Sequence, residues 1–573
     1  MIKKFFYILS NVNLSKLSIF FMILFLCVIP ILEIFSIGFF GILTTKFLDN
    51  SFQLDILNFQ ILNDSFSFDD LLYFFVFLYL IKTLVLISLN AFIEFFSFNF
   101  NYLIKKRILN NIIEKNYEFF LNQKSADLTE LINRITGIFT VNILMSLLKL
   151  ITQSVIFFSI IVFLIYLNKE AVFIIGIIGL LFTIIYVLSF KSILKRYGSE
   201  AAKFSIEATN KINETVYGIK EILTLGLQKL FLDSASMNSK LLSQNLFKSQ
   251  FLSGLPRFIF EFIIILFLFS YLLISNSNTE KDIATLSMFV FASIRLLPSL
   301  TTITKSINDF NYGAYTIDKI YYNLSSNKQK NIKKSKLRIN SIKRILLKNV
   351  SYKYPGQKKK VFNNLNFEIK TNQFIGIKGS SGSGKSTFLN LLLCLIKSNH
   401  GKFLINEQTY FAKDIDKINL TSYKEKILYA SQEPLIINET IKKNIILNSK
   451  FDYKLFYEVI RKSKIDFFSL KKNIKIGERG IKLSGGQKQK IIIARALYHK
   501  KDLLILDETT NSLDIDSENT ILRNLNDIKK NRMIIIVSHK DSSFKFCDKV
   551  YEFRNNKFYL TNRINKKFFE KED

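Results

Sequence analysis

Long apolar runs alternate with polar, lysine-rich segments over the first 320 residues, whereas short strand-like runs, turns and amphipathic helices follow from about residue 338. A helix needs about 20 mainly apolar residues to cross the ~30 Å hydrocarbon core of a bilayer. Six runs reach this length, at about 17–44, 71–100, 138–167, 171–190, 251–274 and 283–304. The pattern therefore predicts an α-helical membrane domain of six transmembrane helices, followed by a separate α/β domain.

The charges between the apolar runs predict how the helices are oriented. The loop 46–70 contains five aspartates and one lysine, whereas the loops 100–137 and 191–250 together contain fifteen Lys and Arg against nine Asp and Glu. Lys and Arg are retained on the cytoplasmic side of a membrane. We therefore expect a multi-pass protein of the bacterial cytoplasmic (inner) membrane whose N terminus and C-terminal half are cytoplasmic. Both cytoplasmic loops are long, which suggests that helices two to five continue beyond the bilayer.

A basic segment separates the two halves, because the chain has fourteen Lys and Arg and no acidic residue from Lys319 to Phe367. The segment is either a solvated linker or a surface that contacts anionic headgroups, each nearby basic residue contributing about 1 kcal/mol. We predict a transmembrane domain at 1–324, a basic linker at 325–337 and an α/β domain at 338–573.

A glycine- and serine-rich loop follows the strand-like run 375–378 and precedes the apolar helical run 388–394. This is the strand–loop–helix context that a phosphate-binding P-loop requires, in which backbone N–H groups and a helix N terminus surround the phosphates. Lys385 is expected to contact the β- and γ-phosphates, and the Ser386 hydroxyl to bind Mg²⁺. The predicted nucleotide-binding residues of the loop are Gly379, Ser380, Ser381, Gly382, Ser383, Gly384, Lys385, Ser386 and Thr387.

A second strand-like run, 503–506, ends in the two carboxylates Asp507 and Glu508. An apolar run that ends in Asp-Glu is a weak signal alone, but this one lies 122 residues after the P-loop lysine. Asp507 is suited to bind Mg²⁺, and Glu508 is suited to act as the base that polarises the attacking water.

Between these motifs, Leu483 precedes Ser484, Gly485, Gly486 and Gln487 at the start of a predicted helix. Two glycines at a helix N terminus expose N–H donors and predict a second phosphate-binding surface. Here the sequence resembles the ATP-binding cassette (ABC) family, whose signature is this pentapeptide. In that family the signature covers ATP held by the partner's P-loop, so one cassette per chain implies a homodimer with ATP and Mg²⁺ as cofactors.

The resemblance extends over about 230 residues and includes four further motifs in the family's order. It implies that Tyr354 stacks on adenine and that Gln432 binds Mg²⁺ and water. It also implies that Asp514, in the segment 511–514, lies at the dimer interface and that His539 contacts the γ-phosphate. The catalytic residues implied are Glu508, His539 and Lys385.

Three segments are similar to features of ABC exporters in particular. They are Gly477-Glu478-Arg479-Gly480 before the signature, Phe119-Phe120 with Ala126-Asp127-Leu128, and Glu214 with Gly218-Ile219-Lys220 and Gly226. The last two resemble regions that couple the cassette to the membrane helices. Six helices before one cassette complete the layout of an exporter half-transporter, which implies alternating access driven by ATP binding and hydrolysis.

Ionisable residues within the apolar runs are candidates for a substrate pathway, because charges are costly in lipid. They are Glu33, Lys82, Glu94, Lys149, Arg257, Glu261 and Arg295. The surroundings of Arg257 and Arg295 resemble PglK-type flippases for lipid-linked oligosaccharides of bacterial N-glycosylation. The resemblance implies a polyprenyl-pyrophosphate glycolipid as substrate, and arginine forms bidentate contacts with phosphate. Arg257 could instead form an i,i+4 ion pair with Glu261.

The apolar-rich segment 52–62 either lies on the outer membrane surface, where it could contact a polyprenyl chain, or packs on the helices. The nearest alternative function is an exporter of hydrophobic drugs, lipid A or peptides. An ATP-gated or regulatory membrane protein that does not pump is a further class.

The net charge of +33 among 573 residues first suggests a nucleic-acid partner. Codon usage rich in Lys, Asn, Ile and Phe explains it better, and membrane helices fill over half the chain, so we expect no nucleic-acid partner. The three cysteines are far apart, without even pairing or metal-ligand spacing, so they predict no disulfide framework or zinc site. Only three histidines occur, which argues against a multi-histidine metal centre.

Overall fold

The computed structural model describes residues 1–12, 16–48, 67–121, 123–167, 169–274, 280–325, 338–380, 382–406, 408–411, 419–465, 475–554 and 556–561. The chain forms two compact units. The first comprises Met1–Lys115 and Asn122–Lys330, and the second comprises Asn116–Leu121 and Asn331–Asp573. The external segment 52–62 and nearly all of the predicted linker lie outside the described residues.

The first unit, here the membrane unit, is entirely helical in its described part. Its helices are α1 (Ile2–Ser10), α2 (Lys16–Leu48), α3 (Phe68–Ile113), α5 (Ser125–Tyr166), α6 (Lys169–Tyr217), α7 (Ile219–Thr224), α8 (Gln228–Ile274) and α9 (Glu280–Ser325); the short helix α4 (Tyr117–Leu121) belongs to the second unit.

Five of these helices, α2, α3, α5, α8 and α9, are long and apolar enough to cross a membrane within the described residues. The fourth predicted span, 171–190, falls in α6, where the side chains of residues 171–180 are not described. Helices α3, α6 and α8 have 46, 49 and 47 residues, more than twice the length that a bilayer requires. These lengths are those that the predicted extension beyond the bilayer requires.

Local sequence explains how these helices begin and pack. A capping box starts α3, because the Ser67 hydroxyl accepts from the Asp70 N–H and the Asp70 carboxylate accepts from the Ser67 N–H. Buried aliphatic and aromatic side chains of α2, α3, α5 and α9 form one core of the unit. Glycine allows α6 and α9 to approach closely, since a Cβ at Gly198 would overlap the Tyr312 carbonyl oxygen.

The second unit, here the cassette, contains two sheets and surrounding helices. One sheet has the order β2–β1–β4–β5, from Phe362–Lys370, Arg344–Tyr352, His400–Ile405 and Gln408–Phe411. The other has the order β10–β9–β3–β8–β7–β6, from Lys557–Thr561, Lys549–Arg554, Phe374–Lys378, Met533–Val537, Leu503–Asp507 and Ile427–Ala430. The helices are α10 (Lys385–Leu392), α11 (Leu420–Lys424), α12 (Ile441–Ile446), α13 (Tyr453–Lys462), α14 (Gly485–Tyr498) and α15 (Ile515–Asp527).

Strands β9, β3, β8, β7 and β6 run parallel, and only β10 at the edge is antiparallel. Strands β3, β7 and β8 are almost continuously apolar and buried, as expected for a parallel sheet covered on both faces. Their carboxyl ends lie on one edge, where ligands of open α/β sheets bind. This edge collects the segments that follow β3, β6, β7 and β8.

Candidate functional site

The P-loop connects the end of β3 to the start of α10, as predicted. Gly382 and Gly384 have φ angles of +74° and +116°, which favour glycine because a side chain is strained there. The buried ammonium of Lys385 donates to the carbonyl oxygens of Gly379 (2.7 Å) and Ser380 (2.8 Å). Burial lowers the pKa of Lys385, while the nearby carboxylates of Glu508 and Asp507 oppose that effect. The loop and the two carboxylates therefore form one site.

Other members of the predicted loop differ in their surroundings. Ser386 is exposed and Thr387 is buried. The buried hydroxyl of Ser383 has no hydrogen-bond partner among the described residues, so a donor remains available to a ligand. Ser381 lies outside the described residues.

Glu508 is the centre of a polar cluster that joins three strand ends. Its Oε1 lies 3.1 Å from His539 Nε2, and its Oε2 accepts hydrogen bonds from Gln432 Nε2 (3.0 Å) and Asn511 Nδ2 (3.1 Å). Glu508 has a φ of +53°, a strained value for a residue with a side chain and one that clusters at functional sites. The arrangement fixes one carboxylate, still 15% exposed, beside the P-loop.

Asp507 is held by a residue that the sequence did not single out. The Tyr429 hydroxyl donates to Asp507 Oδ2 at 2.9 Å. Burial, Asp507 and nearby Tyr117 raise the pKa of Tyr429, so the hydroxyl keeps its proton. Burial raises the pKa of Asp507, and the bond from Tyr429 opposes that rise.

The chemistry of the predicted metal ligands fits Mg²⁺ carried by a nucleotide. Ser386, Asp507 and Gln432 offer hydroxyl, carboxylate and amide oxygens, and Mg²⁺ prefers oxygen ligands completed by phosphates and water. In the described parts of the chain, no group of three or more His, Cys, Asp or Glu could hold a metal. The site can therefore provide a few protein oxygens as metal ligands, and a bound nucleotide would supply phosphate oxygens.

The signature residues begin α14 and pack against the segment that follows Glu508. Ser484 and Gln487 form a reciprocal capping box. A Cβ at Gly486 would lie 2.9 Å from the Ser512 carbonyl oxygen, so this glycine permits a close approach. Gln489, which the sequence did not single out, accepts from the Ser512 N–H at 2.9 Å and donates to the Glu508 carbonyl oxygen at 3.4 Å. The signature helix is thereby joined to the catalytic loop of its own chain.

Two further predicted residues lie at the borders of the site. The Tyr354 ring is half-buried, packs edge-on against Tyr352, and hydrogen-bonds through its hydroxyl to Thr387 Oγ1 at 3.1 Å. Asp514 caps α15 by accepting from the Ser517 N–H at 2.9 Å, and this bond lowers the pKa of Asp514. The structure gives Asp514 this capping role, and its position at a dimer interface stays a prediction.

The membrane unit contains a separate charged cluster, formed by Glu33 of α2, Lys82 of α3 and Arg295 of α9. Glu33 is fully buried, and its two oxygens lie 2.7 Å from Lys82 Nζ and 2.5 Å from Arg295 Nε. Lys82 also donates to the Ser36 hydroxyl at 2.9 Å. The sequence marked these charges individually but did not predict that they meet.

Arg257, the other predicted substrate residue, is exposed on α8. The described part of α8 has no salt bridge between Arg257 and Glu261, so the alternative of an i,i+4 ion pair is not formed. The structure does not bring Arg257 into the cluster of Glu33, Lys82 and Arg295.

Residues 362–511 match the family model described as ABC transporter. The chain is 43% identical over 211 residues to an export ATP-binding/permease protein of Rickettsia typhi, an alignment that covers 36% of each chain. It is 31% identical over 343 residues to an ATP-dependent lipid A-core flippase of Blochmanniella floridana, with 58% of each covered. The alignment with a flippase of the same name from Wigglesworthia glossinidia brevipalpis has 30% identity and covers 59% of each. The chain thus matches between about a third and three fifths of these relatives' own lengths.

The fold is similar over nearly the whole chain to a solved structure. That structure is a bacterial Atm1-family ABC exporter with ATP bound; the TM-score is 0.78, the identity is 17%, and 95% of each chain is covered. The predicted fold class is confirmed: the chain has the ABC exporter fold, a helical membrane domain followed by an α/β P-loop domain of the ATP-binding cassette type.

Proposed function

We propose that the protein is an ATP hydrolase coupled to transport across the bacterial inner membrane, and that it works as a homodimer with the cassettes in the cytoplasm. The observation that carries the proposal is the position of Glu508, held by His539, Gln432 and Asn511 beside the P-loop. An ATP-gated protein that does not pump would not need this hydrolytic arrangement.

Hydrolysis requires a base, a positioned nucleotide and charge stabilisation. Glu508 accepts hydrogen bonds and has a solvent-accessible carboxylate, so it can orient and polarise a water. His539 can contact the transferred phosphoryl group, while Lys385 and the loop N–H groups hold the phosphates. Bound Mg²⁺, held by Ser386, Asp507 and Gln432, would neutralise charge on the phosphate oxygens.

Exposed groups around the signature support the homodimer. Ser484, Gly485 and Gln487 are partly or fully exposed at the start of α14. Two large apolar side chains beside them, Ile481 and Ile515, are 81% and 76% exposed. An apolar rim around an exposed helix N terminus suits a surface that closes over the partner's nucleotide.

For the substrate, we propose an anionic lipid, and specifically a lipid-linked saccharide with a polyprenyl pyrophosphate. The cluster of Glu33, Lys82 and Arg295 combines two cations with one carboxylate and therefore has a surplus positive charge, which is costly to bury in a membrane. Among the described residues, the buried Arg295 Nη2 has no hydrogen-bond partner. A phosphate group would supply both the missing charge and an acceptor.

An apolar cavity on the same three helices supports a lipid rather than a small anion. Its volume is about 350 Å³, and it is lined by Phe40, Leu43, Thr44, Phe47, Phe68, Leu72, Phe75 and Ser287. Its residues on α2 and α3 begin seven positions from Glu33 and Lys82, which corresponds to about 10 Å along a helix. The cavity can accept part of an acyl or isoprenoid chain whose phosphate lies near Arg295.

Lipid A is the second candidate, because it is also a phosphorylated lipid and two relatives are named lipid A-core flippases. The surplus charge and the cavity suit both lipids. Drugs without an anionic group would leave the extra charge of the cluster uncompensated.

Proteoliposomes that contain one lipid at a time would test the proposal and separate the two candidates. We expect ATP-dependent translocation of the polyprenyl-pyrophosphate glycolipid, and a rate about tenfold lower in Arg295→Gln. Arg257→Gln tests the second proposed arginine, and Arg196→Gln is the matched control because Arg196 is 65% exposed and pairs with Glu200 at the surface. Transport of lipid A alone would identify the second candidate, and stimulation of ATP hydrolysis only by uncharged drugs would refute an anionic-lipid substrate.

A further inference from the structure

Tyr429 occupies the penultimate position of β6, three residues before Gln432. Its hydroxyl donates to Oδ2 of Asp507, which ends the neighbouring strand β7. Strands β6 and β7 pair in parallel, with Tyr429 opposite Ile505. Both residues therefore lie at the same sheet edge as the P-loop, and the bond joins two adjacent strands next to the nucleotide site.

This bond restrains the carboxylate that is predicted to bind the metal. A carboxylate can rotate and can present either oxygen, so an unrestrained aspartate loses conformational freedom when it binds a cation. The Tyr429 hydroxyl donates to Oδ2, so Asp507 would bind a cation with its carboxylate already restrained. As a neutral donor, Tyr429 does this without adding a positive charge that would repel Mg²⁺. Partners that orient metal-binding carboxylates typically change metal affinity by about 10- to 100-fold when removed.

Burial alone does not require the bond. The Tyr429 side chain is 38% exposed, so its hydroxyl could be satisfied by solvent. By contrast, Tyr423 and Tyr498 are buried tyrosines whose hydroxyls donate to backbone carbonyls of Leu392 and Lys450. Those two bonds satisfy buried polar groups, whereas the bond of Tyr429 is made to a functional carboxylate.

We propose that Tyr429 is a positioning residue for Mg²⁺: its hydroxyl holds Asp507 in the orientation that receives the metal. The inference rests on the proposed function, because it assumes that Asp507 binds the Mg²⁺ of a nucleotide. It goes further because it makes the Mg²⁺ affinity of the site depend on a tyrosine of β6, the strand beside the one that carries Asp507.

The test measures metal dependence by binding rather than by turnover. The full-length protein with Glu508→Gln, which prevents hydrolysis, is purified in detergent, and binding of a fluorescent ATP analogue is titrated with MgCl₂. Adding Tyr429→Phe, which removes only the hydroxyl, should raise the Mg²⁺ concentration for half-maximal binding about tenfold. Binding of the analogue in EDTA should stay unchanged, which also shows that the variant is folded. With Mn²⁺ as the probe, electron paramagnetic resonance should show a matching loss of metal affinity.

Two control variants and the parent protein make the outcomes distinct. Tyr498→Phe removes a hydrogen-bonded tyrosine hydroxyl elsewhere in the cassette and should leave the Mg²⁺ requirement unchanged. Asp507→Asn should raise it more than Tyr429→Phe does. An unchanged requirement in Tyr429→Phe together with a raised one in Asp507→Asn overturns the inference while the proposed function stands. Failure of the parent protein to bind ATP overturns the proposed function itself and the inference with it.

Discussion

Glu33 and Glu508 are the central carboxylates of the two units, and their surroundings differ in kind. Glu33 is fully buried between two cations from other helices, Lys82 and Arg295. Glu508 remains partly exposed and is held by the His539 imidazole and the Gln432 amide, which follow neighbouring strands, and by the Asn511 amide three residues along its own segment. Full charges on both sides fix a buried carboxylate in place, whereas side-chain hydrogen bonds to a partly exposed carboxylate orient it and leave it able to act on a water. The same side chain therefore stabilises a helix bundle in one unit and suits catalysis in the other.

The largest expected effect is the loss of hydrolysis in Glu508→Gln. The amide cannot act as a base, so the ATPase rate should fall about 10²- to 10⁴-fold while ATP binding persists. Steady-state ATPase and nucleotide-binding assays on the purified protein measure both quantities. Glu433→Gln, at an exposed glutamate next to Gln432, is the control and should retain activity. Sustained hydrolysis in Glu508→Gln would refute the assignment of the base.

The next effect is the loss of stability in Glu33→Gln. Removing the shared carboxylate leaves the buried Lys82 and the partly exposed Arg295 without a counter-charge, and leaving a buried charge unpaired costs about 3–5 kcal/mol. Thermal denaturation of the detergent-solubilised protein should show a large decrease in melting temperature. Glu94→Gln, at an exposed glutamate of α3, should change it little. Adding Lys82→Met to Glu33→Gln should recover part of the lost melting temperature. No recovery would show that Glu33 and Lys82 do not stabilise the protein through their charges.

A smaller effect is expected for Gln489→Leu, which disconnects the signature helix from the loop after Glu508. The Ser512 N–H loses its side-chain acceptor but can still reach solvent, so the cost is that of one ordinary hydrogen bond, about 0.5–1.5 kcal/mol. We expect a reduced maximal ATPase rate with little change in ATP affinity, because Gln489 contacts the loop backbone. A raised Michaelis constant at an unchanged maximal rate would contradict this role.

The smallest effect concerns pH and His499, which is remote from the nucleotide site. Burial lowers the pKa of His499 below the ordinary value of 6.5, and its ring nitrogens lie 3.1 Å from the Ser449 hydroxyl and the Ile445 carbonyl oxygen. Because the folded state favours the neutral ring, this residue should cost the protein stability as the pH falls below about 6.5. The decrease in melting temperature from pH ~7.5 to pH ~5.5 should be smaller in His499→Gln than in the unmodified protein. An equal decrease in both proteins would show that His499 does not cause the loss of stability at low pH.

The sequence allowed the cassette site to be predicted in detail because its residues follow strands at regular motif spacings. The P-loop, Asp507, Glu508, Gln432 and His539 all lie at the carboxyl edge of one parallel sheet, and a short motif marks each of them. Tyr429 could have been found as a polar residue near the end of the strand that precedes Gln432. Gln489 could not, because its bonds depend on how α14 packs against residues 511–514.

The charged cluster of the membrane unit was not predictable in the same way. Glu33 and Arg295 are 262 positions apart, and no local pattern relates residues on α2, α3 and α9. Hydropathy gives the helices but not which faces meet, because that depends on side-chain packing within the bundle. The sequence therefore identified Arg295 as a candidate but did not reveal that Glu33 already binds its Nε.

The central claim, that ATP hydrolysis at Glu508 drives movement of an anionic lipid past Arg295, is tested most directly by lipid translocation in proteoliposomes. The measurement follows a polyprenyl-pyrophosphate glycolipid from one leaflet to the other with and without ATP, in the unmodified protein, Glu508→Gln and Arg295→Gln. The account predicts rapid ATP-dependent movement in the unmodified protein, none above background in Glu508→Gln, and about tenfold slower movement in Arg295→Gln. Equal movement in all three proteins, or movement that does not require ATP, would contradict it.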